Sequence, residues 1–172
     1  FARAHAQNPR LRLALIGEGR LRESIEQLAE ELGVSSRITF IGLSSEVPRF
    51  LSAFDAAVLP SLHEGLPSVV IEWQANGLPS YVSDDVTDEC AVTDLVSFLP
   101  LDDVGGWVRA LARVTAIDRT SASKRAQEKL RAAGYDVTDG AARLRRIYLQ
   151  IGDRIGLKFG SRKYGDVRAP RA

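Results

Sequence analysis

Residues 60–83 read PSLHEGLPSVVIEWQANGLPSYVS, and this stretch decides the fold class of the chain. An apolar strand ends at Pro60, a polar loop follows, and Pro67 stands where the first turn of a helix tolerates a residue without an amide hydrogen. A helix over 67–76 then leads to the next strand, 79–83. The stretch therefore predicts a strand, a loop, a helix and a second strand in succession.

The same alternation extends to both sides of this stretch. Short β-rich runs, typical of strands, lie at 11–16, 37–41, 56–59, 79–83 and 95–99, and helical spacing of apolar residues covers 20–32, 46–54, 67–76, 104–117, 122–133 and 138–151. Strands that alternate with helices pair in parallel through right-handed crossovers and carry helices on both faces. We therefore predict an α/β fold, with a Rossmann-like parallel sheet sandwiched by helices.

Composition narrows the class of protein further. The chain has 172 residues, 45% of them hydrophobic, and its net charge of +1 argues against nucleic acid as a main partner. A single cysteine, Cys90, excludes a disulfide scaffold, and no Cys/His cluster has the spacing of a zinc site. No apolar run has the length of a membrane-spanning helix. We expect a cytoplasmic protein.

The charge is concentrated at the carboxyl end. Residues 153–172 carry six basic side chains against two acidic ones, and they contain three glycines and a proline that interrupt helices. We predict a Rossmann-like domain over 1–152 and a basic tail, 153–172, that is extended or disordered. The tail could lie on an anionic membrane surface at the inner face, or it could be solvated or pack on another domain.

The helix start after Gly65 predicts an anion site. The backbone amides of Gly65, Leu66, Ser68 and Val69 would be free at the positive end of the helix dipole. Glu64 lies beside this helix end, and Glu72 follows it on the helix, so the two carboxylates could bracket a polyhydroxylated ligand. Ser68, Glu72 and Asn76 also fall at i, i+4 and i+8, a spacing that equally describes a solvated face.

Other candidate residues follow the remaining strands, because a parallel sheet binds ligands at the carboxyl ends of its strands. They are Gly17-Glu18-Gly19, Gly42-Leu43-Ser44 and Ser83-Asp84-Asp85. Asp84 and Asp85 could accept from a ligand or cap the following turn. His63 could take part in the same site as Glu64 or be an ordinary surface residue. The chain lacks an Asp-x-Asp pair, so the sequence indicates no metal.

These motifs resemble the carboxyl-terminal half of the retaining, two-Rossmann-domain glycosyltransferases of family 4. The resemblance rests on the E-x7-E pair Glu64 and Glu72 within EGLPSVVIEWQANGLPSYVSD, on the IGEG that ends the first strand, and on the ITFIG of the second. It covers roughly residues 10–150 and is nearest to the capsular and exopolysaccharide branch, in which sugars pass to a growing lipid-linked glycan. The resemblance implies a hexosyltransferase that uses a nucleotide sugar, with a UDP-sugar favoured.

The resemblance also implies roles for individual residues. Glu64 would be the catalytic carboxylate beside the donor sugar, and Glu72 would hold the ribose hydroxyls. The remaining donor-binding positions would surround the sugar, the diphosphate and the base: Gly17, Gly19, Gly42, Leu43, Ser44, Gly65, Leu66, Pro67, Ser68 and Val69. Among these, Gly42, Leu43 and Ser44 would recognise the base edge, and the two earlier glycines would keep the first loop clear of the nucleotide.

The sequence departs from the pattern of this family in one respect. The family supplies an Arg and a Lys to the diphosphate from the segment before the first strand seen here, and we expect both to lie before the start of this chain, as does the amino-terminal acceptor domain. We therefore expect weak donor binding and little or no turnover. A sugar-nucleotide epimerase of similar architecture and a non-catalytic nucleotide-binding module remain as alternatives.

Overall fold

A computed structural model describes residues 1–154 of the chain. The residues divide into two compact units, the first spanning Phe1–Ala133 and the second beginning at Gly134. The first unit holds five strands, β1 (Leu13–Ile16), β2 (Ile38–Gly42), β3 (Ala57–Leu59), β4 (Ser80–Ser83) and β5 (Val96–Leu99). Its helices are α1 (Ala2–Gln7), α2 (Arg22–Glu31), α3 (Val47–Ala53), α4 (Ser68–Ala75), α5 (Val104–Ala112) and α6 (Arg119–Ala132), and α7 (Val137–Arg154) belongs to the second unit.

All strand pairs within these residues are parallel, and the predicted α/β class is confirmed. The strands form two ladders, β1 with β2 and β3-β4-β5 in that order, rather than one continuous sheet. Within residues 1–154, β1, β2, β3 and β5 therefore each keep an edge that no strand pairs. The alternation of strand and helix predicts parallel pairing correctly, but it contains no information on which strands become neighbours.

The helix boundaries on either side of residues 113–118 differ from the sequence prediction. α5 ends at Ala112 rather than near residue 117, and α6 begins three residues earlier than predicted. The cause is Asp118, whose carboxylate accepts the amides of Thr120 and Ser121 and so caps α6. Residues 113–118 then form the connection.

Helix α4 and the three-stranded ladder enclose the core of the first unit. One cluster consists of Val70, Val82, Val86 and Cys90, and a second consists of Leu51, Ala57 and Leu78. Trp73 is partly buried and packs against both clusters. Because α4 contributes to both clusters, its position is set by apolar packing along most of its length.

A buried amide also fixes α4. The Gln74 side chain has no exposed surface, and its Nε2 donates to the carbonyl oxygen of Cys90 at 2.7 Å. Its Oε1 accepts from the amides of Val92 and Thr93 at 3.0 and 2.9 Å, and from the Thr93 hydroxyl at 3.0 Å. Gln74 therefore joins the helix to the connection between β4 and β5.

Arg119, the first residue of α6, holds the carboxyl ends of two helices. Its guanidinium donates to the carbonyl oxygens of Leu51 and Phe54 at 2.7 and 2.9 Å, and to the carbonyl and side-chain oxygens of Asn76 at 2.8 and 2.7 Å. A cation is favourable at a helix carboxyl end, although burial lowers the pKa of Arg119. Gly77, which follows α4, has φ +69, and a Cβ there would lie 2.6 Å from the backbone nitrogen of Ser123 in α6. Only glycine therefore allows α6 to pass so close to this point of the chain.

The second unit contains α7, which extends through Arg154 and so continues two residues past the predicted domain boundary. Residues 155–172, most of the predicted basic tail, lie outside the described residues, and the predicted extended or disordered state stays a prediction. Among residues 1–154, no helix combines the length and apolar character needed to cross a membrane.

We expect Gln74→Leu to lower the free energy of unfolding by about 3 kcal/mol or more, because it leaves several buried donors and acceptors without partners. Urea unfolding followed by circular dichroism measures this loss.

The matched control is Gln27→Leu, which makes the same exchange at an exposed position of α2 and should change the free energy by about 0.5 kcal/mol or less. A loss below about 1 kcal/mol for the Gln74 variant would contradict the structural role assigned to this amide.

Candidate functional site

The start of α4 is the centre of the candidate site. The helix begins at Ser68, one residue later than predicted, and Pro67 is its N-cap with φ −71 and ψ 100. Pro67 therefore precedes the first helical residue instead of occupying it, and it is buried. Its carbonyl oxygen accepts the amide of Val70 at 3.0 Å, which closes the first turn.

The amides before and within this first turn are free. Those of Gly65, Leu66, Ser68 and Val69 have no hydrogen-bond acceptor among residues 1–154. All four residues are exposed to solvent. Unpaired amides at a helix amino end carry partial positive charge, so this end of α4 can donate to an anion or to hydroxyl oxygens.

Glu64 is the one residue between Leu62 and Leu66 that is only half-exposed. Its Oε1 accepts a hydrogen bond from the Ser61 hydroxyl at 2.7 Å. The second carboxylate oxygen, Oε2, has no protein partner within residues 1–154. Glu64 is therefore held at one oxygen and open at the other.

Glu72 is exposed on α4, and its carboxylate has no partner within the described range. The predicted polar stripe of Ser68, Glu72 and Asn76 divides into two parts. Ser68 and Glu72 face solvent, but Asn76 is bound to the Arg119 guanidinium through both its carbonyl and its side-chain oxygen. Asn76 is structural, so the stripe available to a ligand is shorter than the spacing predicts.

The loops after β1 and β2 meet each other. The Gly17 amide donates to the Gly42 carbonyl oxygen at 2.9 Å, and both glycines have positive φ, +124 and +75. A Cβ at Gly42 would lie 3.6 Å from Glu18 Oε1, whereas Gly17 and Gly19 have open space around the corresponding position. The first loop is thus unobstructed, as its proposed proximity to a nucleotide would require.

Leu43 and Ser44 continue the second loop. Leu43 is 76% exposed, whereas the Ser44 hydroxyl accepts the amide of Glu46 at 3.0 Å just before α3. The Ser44 side chain is therefore committed to the start of that helix, which leaves the backbone of this loop as the part available to a ligand.

The structure brings the predicted residues together in two groups. One group lies at the ends of β1 and β2 and contains Gly17, Gly19, Gly42, Leu43 and Ser44; the other surrounds the start of α4 and contains Glu64, Gly65, Leu66, Pro67, Ser68, Val69 and Glu72. Both groups follow the carboxyl ends of parallel strands. No hydrogen bond among the described residues joins one group to the other.

Two of the remaining candidates, Asp85 and Cys90, make hydrogen bonds within the protein. His63 is exposed. Asp85 accepts a long hydrogen bond from the Ser83 hydroxyl at 3.4 Å, and its amide donates back to that oxygen at 3.1 Å, as in a capped turn. Cys90 is buried in the core, its thiol donates to the Thr87 carbonyl oxygen, and burial raises the pKa of the thiol. Residues 1–154 contain no cluster of His, Cys, Asp and Glu that could hold a metal ion.

Sequence reasoning missed two residues that shape the site. Gln74 reads as a helix-surface residue, yet it is fully buried and fixes α4. The sequence analysis gives Ser61 no role of its own, although its i, i+3 spacing from Glu64 is a signal that a hydroxyl and a carboxylate can meet in a tight loop.

The chain is similar to a known protein family and to individual proteins within it. A family model described as "Glycosyl transferases group 1" matches residues 1–97 of the chain. The match includes both groups of candidate residues.

Two curated relatives extend the comparison beyond residue 97. The lipopolysaccharide core biosynthesis glycosyltransferase LpsE of Rhizobium meliloti is 34% identical over 131 residues, which are 74% of this chain and 38% of LpsE. The UDP-Gal:alpha-D-GlcNAc-diphosphoundecaprenol alpha-1,3-galactosyltransferase of Escherichia coli is 28% identical over 141 residues, 80% of this chain and 36% of that enzyme. The chain therefore spans little more than a third of the length of either relative.

A solved structure shows the same fold. The pneumococcal O-GlcNAc transferase GtfA, crystallised with UDP and GlcNAc, superposes with a TM-score of 0.58 at 19% sequence identity. The superposition covers 74% of this chain and 28% of GtfA. At this identity the likeness concerns the fold.

Proposed function

The chain belongs to the group 1 glycosyl transferases, and we propose that it is the donor-binding part of a retaining hexosyltransferase of family 4 that acts in polysaccharide biosynthesis. The observation that carries the proposal is the start of α4, where four residues with free amides stand between Glu64 and Glu72 in the sequence. Amide donors suit a diphosphate or sugar oxygens, and carboxylates suit sugar and ribose hydroxyls.

The donor is a UDP-hexose. The E. coli relative is named for its use of UDP-Gal, and the pneumococcal structure contains UDP. In this proposal Glu72 accepts the two ribose hydroxyls, and the loops after β1 and β2 lie against the base and ribose. Family membership supports transfer over epimerisation, since the epimerase alternative has no relative among those described above.

The chemistry assigns each group a separate task. As the glycosidic bond to the diphosphate breaks, the α4 amides stabilise the charge that develops on the departing phosphate oxygen. Glu64 holds the donor hexose through Oε2. The acceptor, an oxygen nucleophile on a glycan or lipid-linked sugar, is aligned by a second domain, so turnover needs more than this chain.

The basic carboxyl-terminal region is proposed to approach the membrane on which a lipid-linked acceptor resides. α7 has exposed apolar residues, among them Leu144, Tyr148 and Ile151, on one face. Arg143, Arg145 and Arg146 are exposed on the same helix. The sequence beyond the described residues adds five more basic side chains, and each charge near an anionic surface contributes about 1 kcal/mol at low salt.

We expect UDP or GDP at millimolar concentration to raise the melting temperature of the chain, because a ligand of the native state stabilises it. Glu72→Gln should remove most of this shift with little loss of fold, since charge-assisted hydrogen bonds to two hydroxyls contribute about 1.5–3 kcal/mol. Differential scanning fluorimetry measures both effects.

The control for this variant is Glu128→Gln, an exposed glutamate on α6, which should keep the full shift. If neither nucleotide shifts the melting temperature of the wild-type chain, the donor site is absent. An unchanged shift in the Glu72 variant would make Glu72 an ordinary surface residue.

The chain alone should transfer no sugar and hydrolyse a UDP-sugar slowly at most, because the groups that align an acceptor and exclude water lie in another domain. The full-length enzyme should transfer with retention at the anomeric carbon, as measured by NMR of the product. There Glu64→Ala should lower kcat more than donor affinity, and Glu72→Ala should do the reverse.

Two results would contradict this division of labour. Rapid transfer by residues 1–172 alone would show that no second domain is needed, and an inverted product from the full-length enzyme would assign it to another class of transferase.

We expect the chain to sediment with anionic phosphatidylglycerol vesicles at low salt and to be released at high salt. Deleting residues 153–172 should weaken this binding several-fold, because six basic side chains are removed. Neutral phosphatidylcholine vesicles are the control. Equal binding of both forms to anionic vesicles would mean that the tail packs on protein or is solvated.

A further inference from the structure

We propose that Ser61 is a positioning residue for the donor sugar: its hydroxyl holds one oxygen of Glu64 so that the other oxygen is presented to the hexose. The inference rests on the proposed function and names a residue that the motif does not include. Its basis is the 2.7 Å hydrogen bond from Ser61 Oγ to Glu64 Oε1.

Glu64 is less exposed than the loop residues on either side of it. Leu62, His63, Gly65 and Leu66 all face solvent, and Leu62 is 82% exposed. A glutamate in such a loop would ordinarily extend into water, where its side chain samples many rotamers. Here the residue is only half-exposed, and its carboxylate accepts a hydrogen bond from the Ser61 hydroxyl.

The backbone that precedes Ser61 restricts the position of its hydroxyl. Ser61 follows Pro60, whose ring fixes one backbone dihedral, and β3 ends at Leu59 immediately before them. β3 pairs along its whole length with β4, from Ala57 opposite Ser80 to Leu59 opposite Val82. Ser61 is therefore a half-buried donor placed directly after a paired strand, and the hydrogen bond transmits that fixed position to a loop carboxylate.

The second carboxylate oxygen of Glu64, Oε2, is open to a ligand. Oε2 accepts no hydrogen bond from the described residues, so it retains its capacity for a hydroxyl donor. A carboxylate fixed at one oxygen presents the other in one direction, and no rotamer freedom is lost when the ligand binds. Such an arrangement favours a sugar hydroxyl at a defined place beside the free amides of α4.

A purely structural hydrogen bond predicts something different. If Ser61 only shaped the loop, its removal would disturb the amides of Gly65 and Leu66. The affinities for UDP and for the UDP-sugar would then fall by the same factor. If Ser61 acts through Glu64, its removal lowers the affinity for the UDP-sugar, because the hexose loses a contact, and leaves the affinity for UDP unchanged. The ratio of the two affinities separates these cases.

The experiment measures dissociation constants for UDP and UDP-galactose, with GDP and GDP-mannose in parallel, by ligand-observed NMR on residues 1–172. Ser61→Ala should lower the affinity for the sugar nucleotide about three- to tenfold, the effect of losing one hydrogen bond, while the affinity for the free diphosphate stays within twofold. Ser61→Thr, which keeps the hydroxyl, should restore the wild-type ratio.

Two further variants complete the design. Ser52→Ala removes a hydroxyl that donates to the Pro48 carbonyl oxygen in α3, and it should leave the ratio unchanged. Glu64→Gln should lower the ratio at least as much as Ser61→Ala does. The double variant should match Glu64→Gln alone, because a residue that acts through another adds nothing once its partner is removed.

The outcomes are distinguishable. If the wild-type chain binds neither UDP nor GDP, the proposed function fails and the inference falls with it. If a nucleotide binds but Ser61→Ala leaves the ratio unchanged, or lowers both affinities equally, the positioning role is overturned while the donor site stands. A wild-type ratio of one for both sugar nucleotides would also overturn it, since Glu64 would then hold no sugar.

Discussion

The side-chain amide of Gln74 determines where α4 can lie, and the candidate site depends on α4. The carboxamide satisfies backbone groups of Cys90, Val92 and Thr93 within a fully buried environment. These partners precede β5, so any shift of α4 along its axis would break several hydrogen bonds that no water can replace. Apolar packing alone would tolerate small shifts, whereas this network specifies one position.

The two ends of α4 differ in whether their backbone groups have hydrogen-bond partners. At the carboxyl end, Arg119 binds the oxygens of Asn76, and Gly77 allows α6 to approach closely. At the amino end, Pro67 is buried but no side chain caps the helix, and the first amides stay free. A helix whose carboxyl end is fully bonded and whose amino end is left open costs stability at the open end. Such a cost is typical of a binding site whose donors are held ready for a ligand.

The sequence predicts the features that are local and misses those that join distant segments. β2 ends at Gly42 and β3 ends directly before Pro60, because both residues interrupt regular structure by their own backbone geometry. The Glu64 and Glu72 positions are likewise local to one loop and helix. In contrast, the Arg119 contacts span 43 to 68 residues of sequence, and Asn76 becomes structural only because of them. The division of the strands into two ladders is non-local in the same sense.

Under the proposed function, the charge around α4 suits the hydroxyls of a donor better than its diphosphate. Residues 60–83 contain two glutamates and no Lys or Arg. The amino end of a helix supplies the equivalent of about half an elementary positive charge, which is less than the charge of a diphosphate. Under the proposed function, the described residues therefore determine the hydroxyl pattern of ribose and hexose, since carboxylates and amides recognise hydroxyls. Neutralising a diphosphate requires cations from outside residues 60–83, so on this proposal the α4 site by itself binds the donor weakly.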